Sequence, residues 1–398
     1  MTRHYARHYD IGVVGCGVAG ATVAYLLARQ GHRVSVLEQA ERLRPIGAGV
    51  LLQPSGQMVL QHLGIREAVC RRAAPITLLN ARHWDGRPLI QTRYTDCGPD
   101  WCAYGVHRGV LFDALLQLLR QTPATIHLAC EIRSRHVRPD GRVTLRDACD
   151  REHGPFDFVL AADGSRSRLR KACGLTAWVT PYNHGTLWII APGTGVPGQL
   201  LQVVRGNRYL FGLLPLGDEL VTLYWGVRVE ELPSLQQRGV EPLREEIVAF
   251  APEAAPVLEH VLDWEQLLFT SYQHVYQRRW YDTHTLFLGD ACHAMSPHLG
   301  QGINLALLDA WQFARSLARS ASPQEAFAHY GRARRVSLHY YSILTYLLSP
   351  FFQSDWSFLG WGRDRVLPLL PLIPWVREQM GLTVCGLKGG FLRGAMAI

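Results

Sequence analysis

Residues 11–38 read IGVVGCGVAGATVAYLLARQGHRVSVLE. Residues 11–14 are a short β-branched run, glycines follow at 15, 17 and 20, residues 21–30 are good helix formers, and residues 33–38 turn β-branched again. Strand, glycine turn, helix and strand in that order make a βαβ unit. Each glycine has its own duty in such a unit. Gly15 permits the tight turn, Gly17 lets a pyrophosphate reach the backbone, and Gly20 lets the helix pack on the strand. The first helical turn then points free N–H groups and partial positive charge at the phosphates. Glu38 ends the second strand, where a carboxylate accepts from ribose hydroxyls. Gly193, Gly195 and Gly198 repeat the spacing, but Pro197 interrupts it and residues 200–204 continue as strand, so that stretch reads as a loop. The chain therefore carries one dinucleotide fold.

Its 398 residues are enough for two or three domains. The 41 basic and 33 acidic side chains leave a net charge of +8, spread along the sequence with short clusters at 71–72, 166–170 and 332–335. Without a long basic run, a general preference for anions is the reading and nucleic acid is not an expected partner. Nine cysteines form no CxxC pair, so no metal is expected and reduced thiols in a cytoplasmic protein are. The N-terminus lacks an apolar h-region, and no signal peptide is expected. Residues 336–354 carry no formal charge, yet several serines, His339, Gln353 and Pro350 argue against a spanning helix.

Further along, helices are predicted over 54–63 and 108–120, and strands over 76–83 and 88–94 with a turn at Asp85-Gly86. Buried strands are predicted at 125–130 and 156–161. Residues 187–229 change texture to aromatic, β-branched runs broken at Gly206-Asn207 and Gly217-Asp218, the pattern of an antiparallel sheet in a second domain. A strand at 286–288 precedes Ile303, Ala306, Leu307, Ala310, Phe313, Ala314 and Leu317 at helical spacing. From about residue 323 the chain is helical, then rich in Pro, Trp and Leu.

Two more motifs decide which dinucleotide. Residues 161–170 read AADGSRSRLR, with Ser167 and Arg170 at fixed offsets from Asp163-Gly164. Residues 289–304 read GDACHAMSPHLGQGIN, an acid, a proline and a glycine-rich helix start in close succession. Together with the first glycine turn and Glu38, these resemble the FAD-dependent aromatic hydroxylases, group A flavoprotein monooxygenases with the para-hydroxybenzoate hydroxylase fold. The resemblance spans roughly residues 10–320. Arg44 before Gly47-Ala-Gly49, and Arg108 before Leu111 and Leu115, fall where that family places arginines.

The resemblance implies an α/β architecture: a Rossmann-type FAD-binding domain from residues 1–75, 100–180 and 275–322, interleaved with an antiparallel-sheet substrate domain from 76–99 and 181–274, then a helical C-terminal region, 323–398. It implies FAD contacts from Gly15, Gly17, Gly20, Glu38, Arg44, Arg108, Ile132, Asp163, Asp290, Pro297, Gly300, Gly302, Ile303 and Asn304. Asp290 would hold the ribityl chain, and N–H groups near 302–304 would face the flavin pyrimidine. Elementary electrostatics agrees, because a reduced flavin is anionic there and a helix start stabilises an anion by ~0.3–1 kcal/mol. Plainer readings stand beside these. Asp163 also suits a turn, Arg44 and Arg108 also suit a surface, Arg44 also suits capture of a nicotinamide cofactor, and His293 and His298 also suit capping or packing.

By the same resemblance, NAD(P)H reduces FAD, O2 adds at flavin C4a, and one oxygen passes to a hydrophobic aromatic or quinone/quinolone-like substrate. The lining is expected from 187–190, 209–214 and 222–225. Tyr209, Tyr224, His298 and Pro297 are the catalytic candidates, and no spacing compels a general base. The tail resembles that of ubiquinone-pathway hydroxylases. Trp356, Trp361 and Trp375 beside Arg363, Arg365 and Arg377 suit a peripheral membrane patch, a cover for the cofactor domain or a homodimer interface. The rivals are an epoxidase or other oxidoreductase on this fold, and an FAD-binding accessory subunit without turnover.

Overall fold

β1 (Asp10–Val14) runs through the middle of a five-stranded parallel sheet, and Ile11, Val13 and Val14 are buried because layers cover both sheet faces. The computed structural model describes residues 7–44, 48–193, 195–391 and 394–396; Gly47 lies outside them. α1 (Val18–Arg29) returns along the sheet to β2 (Arg33–Leu37), completing the βαβ unit. The strand order is β18 (Thr285–Phe287), β12 (Phe158–Ala161), β1, β2, β8 (Thr125–His127). Three distant stretches of chain therefore meet in one sheet.

Residues 125–130 depart from the buried strand predicted for them. β8 is three residues long, and Thr125 and His127 are exposed because it lies at the sheet edge with only β2 beside it. A three-stranded antiparallel sheet of β9 (Ile132–Val137), β10 (Val143–Asp147) and β11 (Glu152–Phe156) was not expected. Its outer strands, IRSRHV and EHGPF, are too polar to show alternation, and only Ile132, Val143, Leu145 and Phe156 join the core.

The second sheet has seven strands in the order β17 (Leu268–Gln277), β13 (Ala177–Pro192), β16 (Leu220–Arg228), β15 (Tyr209–Gly217), β14 (Gln199–Arg205), β5 (Leu78–His83), β6 (Pro88–Arg93). Only the β14–β5 pairing is parallel. Alternation divides its side chains. Leu187, Ile189, Val203, Phe211, Leu223 and Trp225 form an apolar core beneath α6 (Leu232–Arg238), α7 (Val240–Phe250) and α8 (Ala255–Leu258). The other face meets a small sheet of β3 (Gly49–Leu52), β7 (Ala103–His107) and β4 (Ala74–Ile76).

Around the parallel sheet lie α2 (Pro54–His62), α3 (Arg66–Cys70), α4 (Arg108–Arg120), α5 (Arg168–Ala172) and α9 (Asp290–His293). α10 (Gly302–Leu317) packs between α1 and the 30-residue α11 (Pro323–Phe352). α12 (Ser357–Val366) and α13 (Pro374–Val384) complete the helical tail. No helix among the described residues is long and apolar enough to cross a membrane.

Candidate active site

The three glycines of the first turn meet different surroundings. Gly15 has φ +96°, and a Cβ there would overlap the Ala162 carbonyl; a Cβ at Gly20 would overlap the Gly15 carbonyl. Both are fixed by the fold itself. A Cβ at Gly17 would meet nothing within 4 Å. Gly17 is the N-cap of α1 and makes no side-chain cap bond, so open space lies before helical N–H groups that need an acceptor. That combination fits a diphosphate. The Cys16 and Ala40 N–H groups donate to the Glu38 carboxylate at 2.7 and 2.9 Å, so Glu38 also braces the turn it borders. Arg44 and Arg108 are exposed, Arg108 as the first residue of α4.

Asp163 follows β12. Its Oδ2 accepts from the Arg168 N–H at 3.1 Å, while Oδ1 is buried without a protein partner. Burial raises its pKa above 3.8. A buried carboxylate oxygen left unpaired beside the glycine turn fits a hydroxyl or N–H of a bound group. Ser167 caps α5 by accepting from the Arg170 N–H at 3.1 Å. Buried Arg170 donates to the carbonyls of Ser165 and Ala291, each at 2.8 Å, which pins the 163–170 loop to the start of α9. This accounts for the fixed offset of that arginine.

Asp290 opens α9 and is exposed. At the preceding Gly289, a Cβ would lie 3.2 Å from Ala19 Cβ of α1 and 3.6 Å from Ala306 Cβ of α10. The two glycine-rich helix starts are thus neighbours across one residue, each about one turn from it. Beneath this junction lies a sealed charge cluster. Asp309 accepts from the Gly289 N–H at 3.1 Å and Arg334 Nε at 2.8 Å, and His293 Nε2 stands 2.5 Å from its Oδ2. Burial opposes charge on both partners. Even so, His293 and Arg334 hold the Asp309 pKa low, and Cys292 and Asp309 carry the His293 pKa well above 6.5. His293 is thus more than a capping residue, and Asp309 was missed. The available signal was a lone acid inside the apolar run LALLDAWQF.

At the other end of the site, Gly300 adopts a left-handed conformation with φ +60°, and α10 begins two residues later. Asn304 does not present its side chain there. Its Oδ1 accepts from the Gln53 N–H at 2.9 Å, and its Nδ2 donates to the carbonyls of Leu51 and Gly300 at 3.1 and 3.0 Å. It braces the turn from behind, so its expected ligand contact is confined to the backbone. Gly302 and half-buried Ile303 start the helix, whose N-cap Gln301 makes no side-chain cap bond. The Ile132 side chain is buried in the core at the start of β9, which likewise leaves only main chain for a ligand.

Pro297 begins a 3-10 turn. His298 shares a 2.8 Å hydrogen bond between its Nδ1 and Ser296 Oγ, while its Nε2 is buried without a partner. Burial lowers its pKa to about 4, so the imidazole is neutral at neutral pH. On the facing sheet surface, Trp188 Nε1 donates to Tyr272 Oη at 3.1 Å and Gln202 Nε2 to Tyr224 Oη at 2.7 Å. The Tyr224 ring covers Gly212, where a Cβ would overlap it. Tyr209 is on the opposite face, its ring centroid 5.8 Å from Trp225 and 5.9 Å from Phe250. The strand period of two takes Tyr209, Phe211 and Leu213 to the helix-covered side, along with Leu187, Ile189, Leu223 and Trp225. Half of the expected lining is therefore core.

Residues 8–337 match the family described as FAD binding domain. A 3-amino-4-hydroxybenzoate 2-monooxygenase of Streptomyces cremeus is 33% identical over 350 residues, covering 82% of this chain and 84% of its own. An aurachin C monooxygenase/isomerase of Stigmatella aurantiaca is 26% identical over 371 residues, covering 90% and 93%. Among solved structures, PqsL of P. aeruginosa in complex with 2-aminobenzoylacetate superposes with a TM-score of 0.78 at 26% identity, covering 89% of this chain and 99% of that one.

Proposed function

From the premise that this chain belongs to the FAD binding domain family and is an FAD-dependent monooxygenase, we propose that it hydroxylates a neutral, hydrophobic aromatic ring of quinolone-like character, with NAD(P)H and O2 as co-substrates. The observation that carries the reading is the junction at Gly289, which sets the phosphate-ready start of α1 beside the start of α10. The relatives' names support an amino-substituted aromatic ring, since aminohydroxybenzoate and 2-aminobenzoylacetate both carry one; both are also carboxylates, so neutrality rests on this chain alone. Neutrality follows from the wall, where Trp188, Gln202, Tyr224, Tyr272 and His298 supply polar groups without net charge. Placement in the cytoplasm belongs to the same proposal, because the reaction draws on NAD(P)H.

The bound flavin supplies the redox chemistry, taking electrons from NAD(P)H and delivering oxygen from O2. The chain does the rest. Gly17 and the first N–H groups of α1 would receive the diphosphate, Glu38 the ribose, Asp290 the ribityl hydroxyls, and the N–H groups of α10 the negative end of the ring. Arg44, Arg108 and Asp163 would add contacts along the cofactor, and Pro297 would pack against its ring. Tyr224 and its sheet face hold the substrate opposite and exclude water. Replacing Asp290 by alanine removes hydrogen bonds to a carboxylate, each worth ~1.5–3 kcal/mol. FAD affinity is expected to fall about 10- to 100-fold, as read by fluorescence titration.

His298 Nε2 is the group we assign to accept a phenolic or enolic proton. His298→Gln is expected to lower kcat by roughly 10²–10⁴. In the wild-type protein the acid limb of kcat/KM, which follows the free enzyme, is expected near pH 4, where burial lets the imidazole protonate, and not near 6.5. A pH-rate profile with a limb near 6.5 would remove His298 from this role. For the function itself, the decisive assay is NAD(P)H oxidation across a panel of phenols and quinolones, with ¹⁸O₂ tracing oxygen into product. Purified protein that takes up no FAD, or oxidises NAD(P)H without ever labelling a ring, would overturn the reading.

A further inference from the structure

α12 is built inside out. Arg363 is buried and donates to the carbonyls of Phe351 and Gly206, each at 2.9 Å, and pairs with Asp364 at 2.6 Å. Meanwhile Phe358 and Trp361 of the same helix point to solvent, with 67% and 63% of their surface exposed. The exposed apolar surface continues through Leu369 and Leu372 of the 3-10 turn Leu367–Leu372 to Trp375 of α13. Upstream, exposed Trp356 stacks on Phe358 with rings 14° from parallel. Large apolar side chains this exposed along one run of chain mark an interaction surface.

The charges around it have one sign to spare. Asp355 pairs with Arg228 and Asp364 with Arg363, while Glu378 lies toward Lys388. Arg365 lies over the Trp361 ring at 3.9 Å, and Arg377 is exposed. Tryptophans and leucines interleaved with arginines match the boundary between headgroups and acyl chains. A two-fold contact with a second copy would enclose the arginines of both copies in one interface, whereas anionic headgroups would neutralise them.

We infer that α12, the 3-10 turn Leu367–Leu372 and the start of α13 dock this protein on the surface of a bilayer bearing anionic lipids. The docking stands on the surface alone. Its consequence for substrate supply rests on the proposed function. Leu367 and Phe352 pack with Ala81, Leu89, Val204, Leu210 and Tyr224, so one layer of side chains separates the lipid-facing surface from the substrate wall.

The test is co-sedimentation of the full-length flavoprotein with vesicles of phosphatidylcholine containing 30% phosphatidylglycerol, and with phosphatidylcholine alone. Wild type is expected to bind the anionic vesicles at least about tenfold better than the neutral ones and to be released by high salt. W361S/W375S is expected to lower binding to the anionic vesicles about tenfold or more, and R365E/R377E to erase the lipid preference. All four positions are exposed, and an unchanged thermal midpoint verifies the fold. Failure of wild type to sediment with either vesicle overturns the proposal, as does binding that neither double variant reduces. A dimer that W361S/W375S dissolves, with no vesicle binding, gives the surface to a second copy. Flavin content and turnover are measured on the same samples, so loss of docking and loss of the enzymatic reading are separate results.

Discussion

Substituting valine for Gly17 is expected to yield a folded protein that no longer holds its flavin. The backbone there has φ −74° and ψ −168°, extended values open to any residue, and a Cβ meets nothing within 4 Å. Valine therefore strains nothing in the chain itself. It fills the space before the α1 N–H groups, and a diphosphate kept from two such donors loses ~3–6 kcal/mol, roughly 10²–10⁴ in FAD affinity. Gly20→Ala is the contrasting control. Its Cβ overlaps the Gly15 carbonyl, so this smaller change is expected to lower the thermal midpoint sharply. Equilibrium dialysis with FAD and a melting curve separate the two. A G17V protein that stays yellow would show that the diphosphate lies elsewhere.

Asp309→Ala is expected to be strongly destabilising. It strands buried Arg334 and His293 without their shared carboxylate and leaves the Gly289 N–H unpaired. Breaking a buried ion pair from one side costs about 3–5 kcal/mol, readable by urea unfolding. The pH dependence has a defined sign. The lowered Asp309 pKa gives stability that is present above about 3.8 and fades as pH falls through the folded value. The raised His293 pKa gives stability that is full below about 6.5 and fades as pH rises through its folded value. The gap between wild type and variant is therefore widest between about pH 3.8 and 6.5. A gap independent of pH would mean that the cluster acts only by packing.

Gly15, Gly20 and Glu38 were legible because each serves a backbone geometry that allows few residue types. Most of the seven-stranded sheet was legible too, since alternation and turn residues mark strands, but its edge strand β17 was not read. Which face carries Tyr209 was not, because a β-strand of mixed aromatics buried on both sides shows no apolar side to choose. Asn304 was read as facing a ligand through its main-chain N–H, and its side chain shows a different limit. The motif identifies the asparagine, but only the fold shows that its amide is spent on residues 51, 53 and 300. The β9–β11 sheet stayed hidden because its contribution to the core is four side chains among charged neighbours.

α11 lies largely outside the motifs yet spans about 45 Å at 1.5 Å per residue. Over a third of the way along, it sends Arg334 into the cluster under Gly289. Near its end Ser349 hydrogen-bonds Ser296 beside Pro297, and Phe352 faces His298. It works as a tie-rod between the back of one layer and the mouth of the other. A protein cut after α10 would keep every residue of the nucleotide motifs and still lose a counter-charge at one end and a wall at the other, so the tail cannot be trimmed away as an appendage.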